Sequence, residues 1–112
     1  MIVVLFQAEI REVDTDYIRT SRRLRQLARD KYGCLGIVAV TEGTRELAVS
    51  YWRSLEDVRR WKADPEHRRA QALGRERWYR HYKVQVLEMR YEYAFPTPAA
   101  EPTAETTDAA GL

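Results

Sequence analysis

The sequence is poor in the residues that most often build disulfide frameworks, metal centres and nucleotide sites. Its 112 residues include one cysteine, two histidines and five glycines. The single cysteine, Cys34, cannot form a disulfide within the chain or a cysteine-based metal site, so we expect a reducing compartment. No glycine-rich phosphate loop, Ser-His-Asp set or CxxC motif occurs in the sequence. Their absence argues against nucleotide cofactors and against hydrolase chemistry.

A strong net charge and a long apolar run are also missing. Nineteen basic and 17 acidic residues give a formal net charge of +2. Acidic residues interrupt or border the arginine-rich stretches at 19–29 and 68–80, which we interpret as solvated helix faces and not as a nucleic-acid surface. No apolar run approaches the ~20 residues of a membrane span. The first twelve residues lack the basic start and cleavage site of a signal peptide, so we expect a cytoplasmic protein with no membrane partner.

Strand and helix signals alternate along the chain. Four stretches have the composition of β-strands: 2–11, 34–41, 46–53 and 82–93. Three stretches have helical start signals or periodicity: 14–32, 55–62 and 65–79. Asp14 and Gly33 bracket the first helix as N-cap and left-handed C-cap. A slip in the alternation of the last strand predicts a β-bulge near Val86-Leu87.

This order predicts the α+β ferredoxin-like βαββαβ fold, a four-stranded antiparallel sheet with helices on one face. Several strands are apolar on both faces, which leaves an apolar sheet face without a cover. We therefore expect a homodimer that packs sheet to sheet as a dimeric α+β barrel. The domain is predicted to span residues 1–95. Residues 96–112 contain no large apolar residue before the terminal leucine and are predicted to form a disordered tail.

His67 is the candidate catalytic residue. Asp64 as N-cap and Pro65 at the first helical position fix the start of its helix. The dipole at that end favours the neutral imidazole, which can accept a proton from an acidic phenol. The alternative is a structural histidine at a helix start. His81 lies about 21 Å further along the helix, so the two histidines cannot share a metal and no metal site is expected.

Aromatic residues supply a candidate pocket for a small aromatic molecule around His67. Trp52, Trp61 and Trp78 are expected to flank the histidine and stack on a planar ligand, although each is also a normal core residue. Gln71 falls on roughly the same helix face as His67, one turn later. The predicted substrate-binding residues are Phe6, Trp52, Trp61, Gln71 and Trp78.

One pattern in this region resembles a known family. Trp52-x-Ser54-x-Glu56, followed by Trp61 and then by the DPEH sequence that ends at His67, is similar to a pattern of the antibiotic-biosynthesis-monooxygenase family of dimeric α+β barrels. The resemblance spans about residues 1–95. It implies ligands bound between the helices and the sheet. It also implies cofactor-independent oxygenase chemistry on phenols, hydroquinones or anthrones.

The same family includes haem-degrading enzymes, which this chain resembles only in part. Their pocket asparagine would fall at about Gln7, their helix tryptophan at Trp61 and their iron-binding histidine near Gln71. That position is one turn, roughly 6 Å, from His67, so we predict no cofactor. Three functions remain open. They are a cofactor-independent monooxygenase or oxidase acting with O₂ on a phenolic, hydroquinone or polyketide-like substrate, a haem-binding or haem-degrading protein, and a non-enzymatic dimeric ligand-binding module.

Overall fold

The computed structural model describes residues 1–97 of the chain. Its elements in chain order are β1 (Ile2–Ile10), α1 (Thr15–Tyr32), β2 (Gly36–Glu42), β3 (Arg45–Trp52), α2 (Leu55–Lys62), α3 (Pro65–Leu73), a π-helical segment (Gly74–Trp78) and β4 (Tyr79–Glu88). The strands form one sheet in the order β2-β3-β1-β4, and all neighbouring strands are antiparallel. The predicted α+β ferredoxin-like fold is confirmed.

Side-chain caps fix the starts of the helices, as expected from the sequence. The Asp14 carboxylate accepts a hydrogen bond from the backbone N–H of Tyr17 at the start of α1, at 2.8 Å. At the start of α3, Asp64 accepts one from the backbone N–H of Glu66, also at 2.8 Å, and proline follows at the first helical position. Gly33 ends α1 with φ of +75°, in the left-handed region that favours glycine.

The two faces of the sheet have different surroundings. On one face, alternate residues of β1 such as Val4, Phe6 and Ala8 are buried beneath the helices. On the opposite face, the register places apolar side chains that are half-buried or exposed: Val3, Leu5, Val38, Val40, Leu47, Val49, Tyr51 and Leu87. We call this set the open face. It matches the apolar face expected from the sequence, and the homodimer inferred from it stays a prediction.

The structure corrects the boundaries of the last elements. The helix predicted to reach Tyr79 is α-helical only to Leu73 and continues as a π-helical segment. The last strand starts at Tyr79 and ends at Glu88, so it begins three residues earlier and ends five residues earlier than predicted. Residues 98–112 of the predicted tail lie outside the described residues, and the domain boundary at residue 95 stays a prediction.

The predicted position of the β-bulge is also wrong. Val86 and Leu87 pair in unbroken register with β1. The register shifts at the other end of β4, where Glu9 pairs with His81 but Ile10 pairs with Tyr79, so that the residue between them, Arg80, is the extra one. The slip in the sequence pattern arises because β4 carries apolar residues on both of its faces, one toward the helices and one on the open face.

Candidate functional site

His67 lies in the first turn of α3, and its side chain is fully buried. Its ring meets the Trp61 indole edge-on, with 4.3 Å between the ring centroids. The Trp61 ring lies 5.0 Å from that of Trp52, whose Nε1 donates a hydrogen bond to Ser50 Oγ at 2.9 Å. The structure therefore brings together three of the predicted site residues. They form part of the hydrophobic core in this conformation.

Trp78 belongs to a different part of the core. Its ring packs edge-on against Tyr17, with 5.4 Å between centroids, and its Nε1 donates to Asp14 Oδ1 at 3.1 Å. It is grouped with Phe6 and Tyr79, and not with Trp52 or Trp61. Of the three tryptophans expected to flank His67, Trp61 contacts it and Trp52 packs on Trp61, whereas Trp78 lies in the other cluster. The third is held at the end of the π-helical segment because Asp14 accepts its indole N–H.

A narrow cleft lies between the end of α3 and the sheet, and two predicted substrate-binding residues line it. Its walls are Phe6, Gln71, Gly74, Tyr79 and Tyr82. The Phe6 ring packs edge-on against Tyr79 at 5.5 Å and is stacked on Tyr82 at 5.6 Å between centroids. In this conformation the cleft is too narrow to admit a water molecule. We call this feature the aromatic cleft.

The β-bulge at Arg80 shapes the aromatic cleft. In a regular strand, residues three apart point to opposite faces. Here Tyr79 pairs with Ile10 and Tyr82 pairs with Ala8, both on the helix side of β1. The bulge therefore places two tyrosines on the same side of the sheet, next to Phe6.

Sequence reasoning missed a buried carboxyl group close to this cleft. Glu46 at the start of β3 is 2% exposed. Its Oε1 accepts hydrogen bonds from the hydroxyls of Tyr17, at 2.6 Å, and Tyr79, at 3.3 Å. Its Oε2 is buried and has no hydrogen-bond partner among the described residues. The signal was available, because Glu46 shares its strand parity with the buried residues Ala48, Ser50 and Trp52.

The environment of Glu46 changes its acidity. Burial raises the pKa of this carboxyl from 4.5 to about 7, although the hydrogen bonds from the two tyrosines favour the charged form and oppose the rise. Burial, and secondly the nearby carboxyl, raise the pKa of Tyr79 far above its ordinary value. The pair therefore holds a carboxyl that titrates near neutral pH beside a tyrosine that keeps its proton.

The structure also shows where the candidate metal and haem ligands lie. No group of three or more His, Cys, Asp and Glu side chains within residues 1–97 is placed to hold a metal ion. Gln71 stands where the haem-degrading enzymes were expected to have their iron-binding histidine. His67, one turn away, is buried against Trp61. In the same part of the chain, no helix combines the length and apolar character needed to cross a membrane.

Comparison with known proteins assigns the family. A family model described as "Monooxygenase af470-like" matches residues 3–95. The chain belongs to this family. A Bacillus subtilis protein with the name "Uncharacterized protein YqjZ" is 37% identical to this chain over 93 residues, which is 82% of each of the two chains.

Solved structures place this monooxygenase-family chain in the fold of the antibiotic biosynthesis monooxygenases, as the resemblance predicted. SnoaB, a cofactor-independent oxygenase from Streptomyces nogalater, aligns with a TM-score of 0.69 at 11% identity, over 85% of this chain and 96% of its own. A putative antibiotic biosynthesis monooxygenase from Deinococcus radiodurans aligns with a TM-score of 0.66 at 16% identity, over 85% and 98%. At these identities the likeness shows the fold alone.

Proposed function

We propose that this protein is a cofactor-independent monooxygenase that acts with O₂ on an electron-rich aromatic substrate of the phenol, hydroquinone or polyketide type. The observation that carries the proposal is the aromatic cleft, which is lined by Phe6, Tyr79 and Tyr82 and has one amide side chain, Gln71, at its wall. Aromatic walls with few polar groups suit a flat, weakly polar ligand. The family and the fold described above support the same chemistry.

The reaction needs little from the protein beyond binding, deprotonation and exclusion of water. A deprotonated phenol or anthrone gives one electron to O₂, and the resulting radical and superoxide combine to form a C–O bond. When the peroxide loses water, a CH₂ group has become a carbonyl. One O₂ is then consumed for each C=O and each H₂O formed. The four electrons that reduce O₂ come from the substrate, so no further reductant is required.

The aromatic cleft has to widen before a substrate ring can enter. Tyr82 is its half-buried wall, and its hydroxyl accepts a hydrogen bond of 2.8 Å from Nη1 of the exposed Arg75. The opposite wall is the start of the π-helical segment at Gly74, which brings no side chain into the cleft. π-Helical turns are frequent at functional sites. We propose that Tyr82 moves outward when the substrate binds.

His67 stays the predicted base for deprotonation. It lies one turn, roughly 6 Å along the helix, before Gln71. Its imidazole is fully buried, so a substrate in the aromatic cleft reaches it only when the cleft also widens toward Trp61. Substitution of His67 therefore tests whether its imidazole accepts the substrate proton.

Oxygen uptake tests the proposed function. We expect the purified protein to consume O₂ with a panel of hydroquinones and anthrones, without added metal or flavin. Gln71→Phe should fill the aromatic cleft and lower kcat/KM at least tenfold. The matched control is Gln26→Phe, which makes the same change on the exposed side of α1 and should have no effect. Absence of uptake with every substrate, or a stoichiometric Soret band on addition of hemin, would contradict the proposal.

We further propose that the protein works as a homodimer that buries the open face. Exposed apolar residues of that face include Val40 at 58% and Leu47 at 38% exposure. A contiguous apolar surface of several hundred Å² marks an interaction site in soluble proteins. A second copy of the same sheet would cover it with matching shape and composition. The cytoplasmic location expected from the sequence remains a prediction.

A further inference from the structure

The buried carboxyl of Glu46 is a polar group that core packing alone does not explain. Removing a carboxylate from water costs several kcal/mol unless hydrogen bonds replace the lost hydration. Two tyrosine hydroxyls meet this need at Oε1. Oε2 has no hydrogen-bond partner among the described residues, although it is fully buried. A buried polar atom left in this state calls for a functional explanation.

Two tyrosines from different elements face this carboxyl in the part of the chain that the structure describes. Tyr17 reaches it from α1 and Tyr79 from the start of β4. Its register partners on the neighbouring strands are Ala8 of β1 and Thr41 of β2, neither of which titrates in the ordinary range. No cation is hydrogen-bonded or ion-paired with Glu46 among the contacts of residues 1–97.

Tyr79 connects this carboxyl to the aromatic cleft. It lines the cleft, and its ring lies 5.5 Å from that of Phe6 and 5.9 Å from that of Tyr82. Its hydroxyl donates to Glu46 Oε1. Tyr17 donates to the same oxygen at a shorter distance but is not among the residues that line the cleft. One tyrosine therefore touches the cleft and the carboxyl together.

We propose that Glu46, acting through the hydroxyl of Tyr79, accepts the proton of a phenolic ligand in the aromatic cleft. This inference rests on the proposed function for the identity of the ligand. In this arrangement Tyr79 is the catalytic residue, because it touches the ligand. Glu46 is a positioning residue that stores the proton behind it. The route needs only a wider cleft, whereas a route through His67 also needs access past Trp61.

The proton transfer balances without any other reactant. The ligand O–H bond breaks, and its proton passes to Tyr79 Oη. The original Tyr79 proton passes along the existing hydrogen bond to Glu46 Oε1. The products are a phenolate in the cleft, an unchanged Tyr79 hydroxyl and a neutral Glu46 carboxyl. When the peroxide later breaks down, the stored proton returns by the same route to the departing hydroxide and forms water.

A coloured phenol tests the relay without any turnover. 4-Nitrophenol ionises near neutral pH and absorbs visible light only as the phenolate. We expect the wild-type protein to bind it as the phenolate while Glu46 holds a proton. At a pH above the pKa of Glu46, binding to the wild type should therefore take up about one proton more from an indicator buffer than binding to Glu46→Gln, which keeps the shape and an acceptor oxygen for both tyrosines but cannot hold the proton. Tyr79→Phe, which removes the hydrogen-bonded link, should change the proton uptake in the same direction.

Two further tyrosine variants separate the relay from a structural role. Tyr32→Phe removes another buried hydrogen bond from tyrosine to carboxylate, the 2.6 Å bond to Asp64, and should leave the proton uptake unchanged. Tyr17→Phe removes a bond that lowers the pKa of Glu46, so the pH range in which probe binding takes up a proton should move upward. Infrared difference spectra should show a protonated carboxyl band that appears on probe binding and is absent in Glu46→Gln.

The outcomes distinguish the relay from the proposed function. If Glu46→Gln folds and takes up as many protons on probe binding as the wild type does, or if the wild-type protein does not bind the probe as the phenolate, the relay is wrong. Proton uptake that depends on Glu46, together with no oxygen uptake on any substrate, would keep the relay and reject the oxygenase. Oxygen uptake that is the same in the wild type, Glu46→Gln and Tyr79→Phe would keep the oxygenase and reject the relay. Should Glu46→Gln fail to fold, Tyr79→Phe carries the test alone.

Discussion

The indole of Trp78 donates a hydrogen bond from Nε1 to Oδ1 of Asp14, 64 residues earlier in the chain. The same carboxylate accepts the backbone N–H of Tyr17 as the N-cap of α1 and pairs with Arg77. The Tyr17 N–H and the Arg77 guanidinium stabilise its charged form and lower the pKa of Asp14. One side chain therefore joins the start of α1 to the end of the π-helical segment.

Asp14→Ala should destabilise the protein more than the loss of an ordinary helix cap. The control is Ser54→Ala, which removes only the cap of α2, a 3.2 Å bond from the Asp57 backbone N–H, and is expected to cost about 1 kcal/mol. The free energy of unfolding in urea measures both variants. Equal losses would mean that the bond to Trp78 and the pair with Arg77 add nothing to the cap.

His67→Ala should lower the free energy of unfolding by about 3 kcal/mol, because it leaves a cavity beside Trp61 in a fully buried site. His81→Ala, at an exposed position on the open side of the sheet, should cost much less. Oxygen uptake at a temperature where both variants are folded then decides the role of His67. Loss of turnover in His67→Ala alone supports the base, and wild-type turnover assigns the residue to packing.

The stability of the protein should fall between about pH 4.5 and about pH 7 because of Glu46. The pKa of this carboxyl is raised from 4.5 to about 7 by burial, so the folded state binds the proton more tightly than the unfolded state. The stabilisation is complete below the lower value and is lost as the pH rises through the higher one, by about 3 kcal/mol in total.

Urea unfolding across this pH range checks the prediction. Glu46→Gln has no proton to lose at this position, so its free energy of unfolding should fall less steeply than that of the wild type. A wild-type slope in the variant would show that other groups cause the pH dependence.

A charge on the open face should separate the proposed dimer. Leu47→Glu places a carboxylate beside Val40 on the open face, where a partner sheet would have to bury it. Light scattering at micromolar concentration should then give the 13.2 kDa monomer mass instead of twice that mass. Ile18→Glu is the control, because Ile18 is similarly exposed, at 42%, but lies on α1. A monomeric wild-type protein would contradict the dimer proposal.

Local signals in the sequence are sufficient to predict most of the fold. Asp14, Gly33 and the Asp64-Pro65 pair each determine a helix boundary by interactions within a few residues, so they could be identified without the structure. The end of α3 and the start of β4 could not. They depend on the change to π-helical geometry after Leu73, on the bond from the Trp78 indole to Asp14, and on the backbone N–H groups of Arg11 and Glu12, which donate to the Trp78 carbonyl just after β1. All of these are set by tertiary packing.

The candidate site could be predicted only in part, for a related reason. The contact between His67 and Trp61 was predicted, because the Asp64-Pro65 helix start between them fixes where the first turn of α3 begins. The role of Trp78 was not, because its partner is 64 residues away. The burial of Glu46 was not predicted because charged residues are usually exposed, although its parity with Ala48, Ser50 and Trp52 is that of a buried residue. Pairing between distant residues, not composition, decides which polar groups are buried together.

The spacing of Tyr79 and Tyr82 also determines where β4 can tolerate the deletion of one residue. Because Arg80 is the unpaired residue between them, the strand can lose it without turning either tyrosine away from the helices. A homologue one residue shorter here, with its two tyrosines two positions apart, would keep the same inward pair on a regular strand. If such a homologue were aligned to this chain without a gap, one of its two tyrosines would be assigned wrongly to the open face. Length variation at this point is therefore compatible with the same ligand chemistry, whereas a single deletion further into β4 would exchange its two faces.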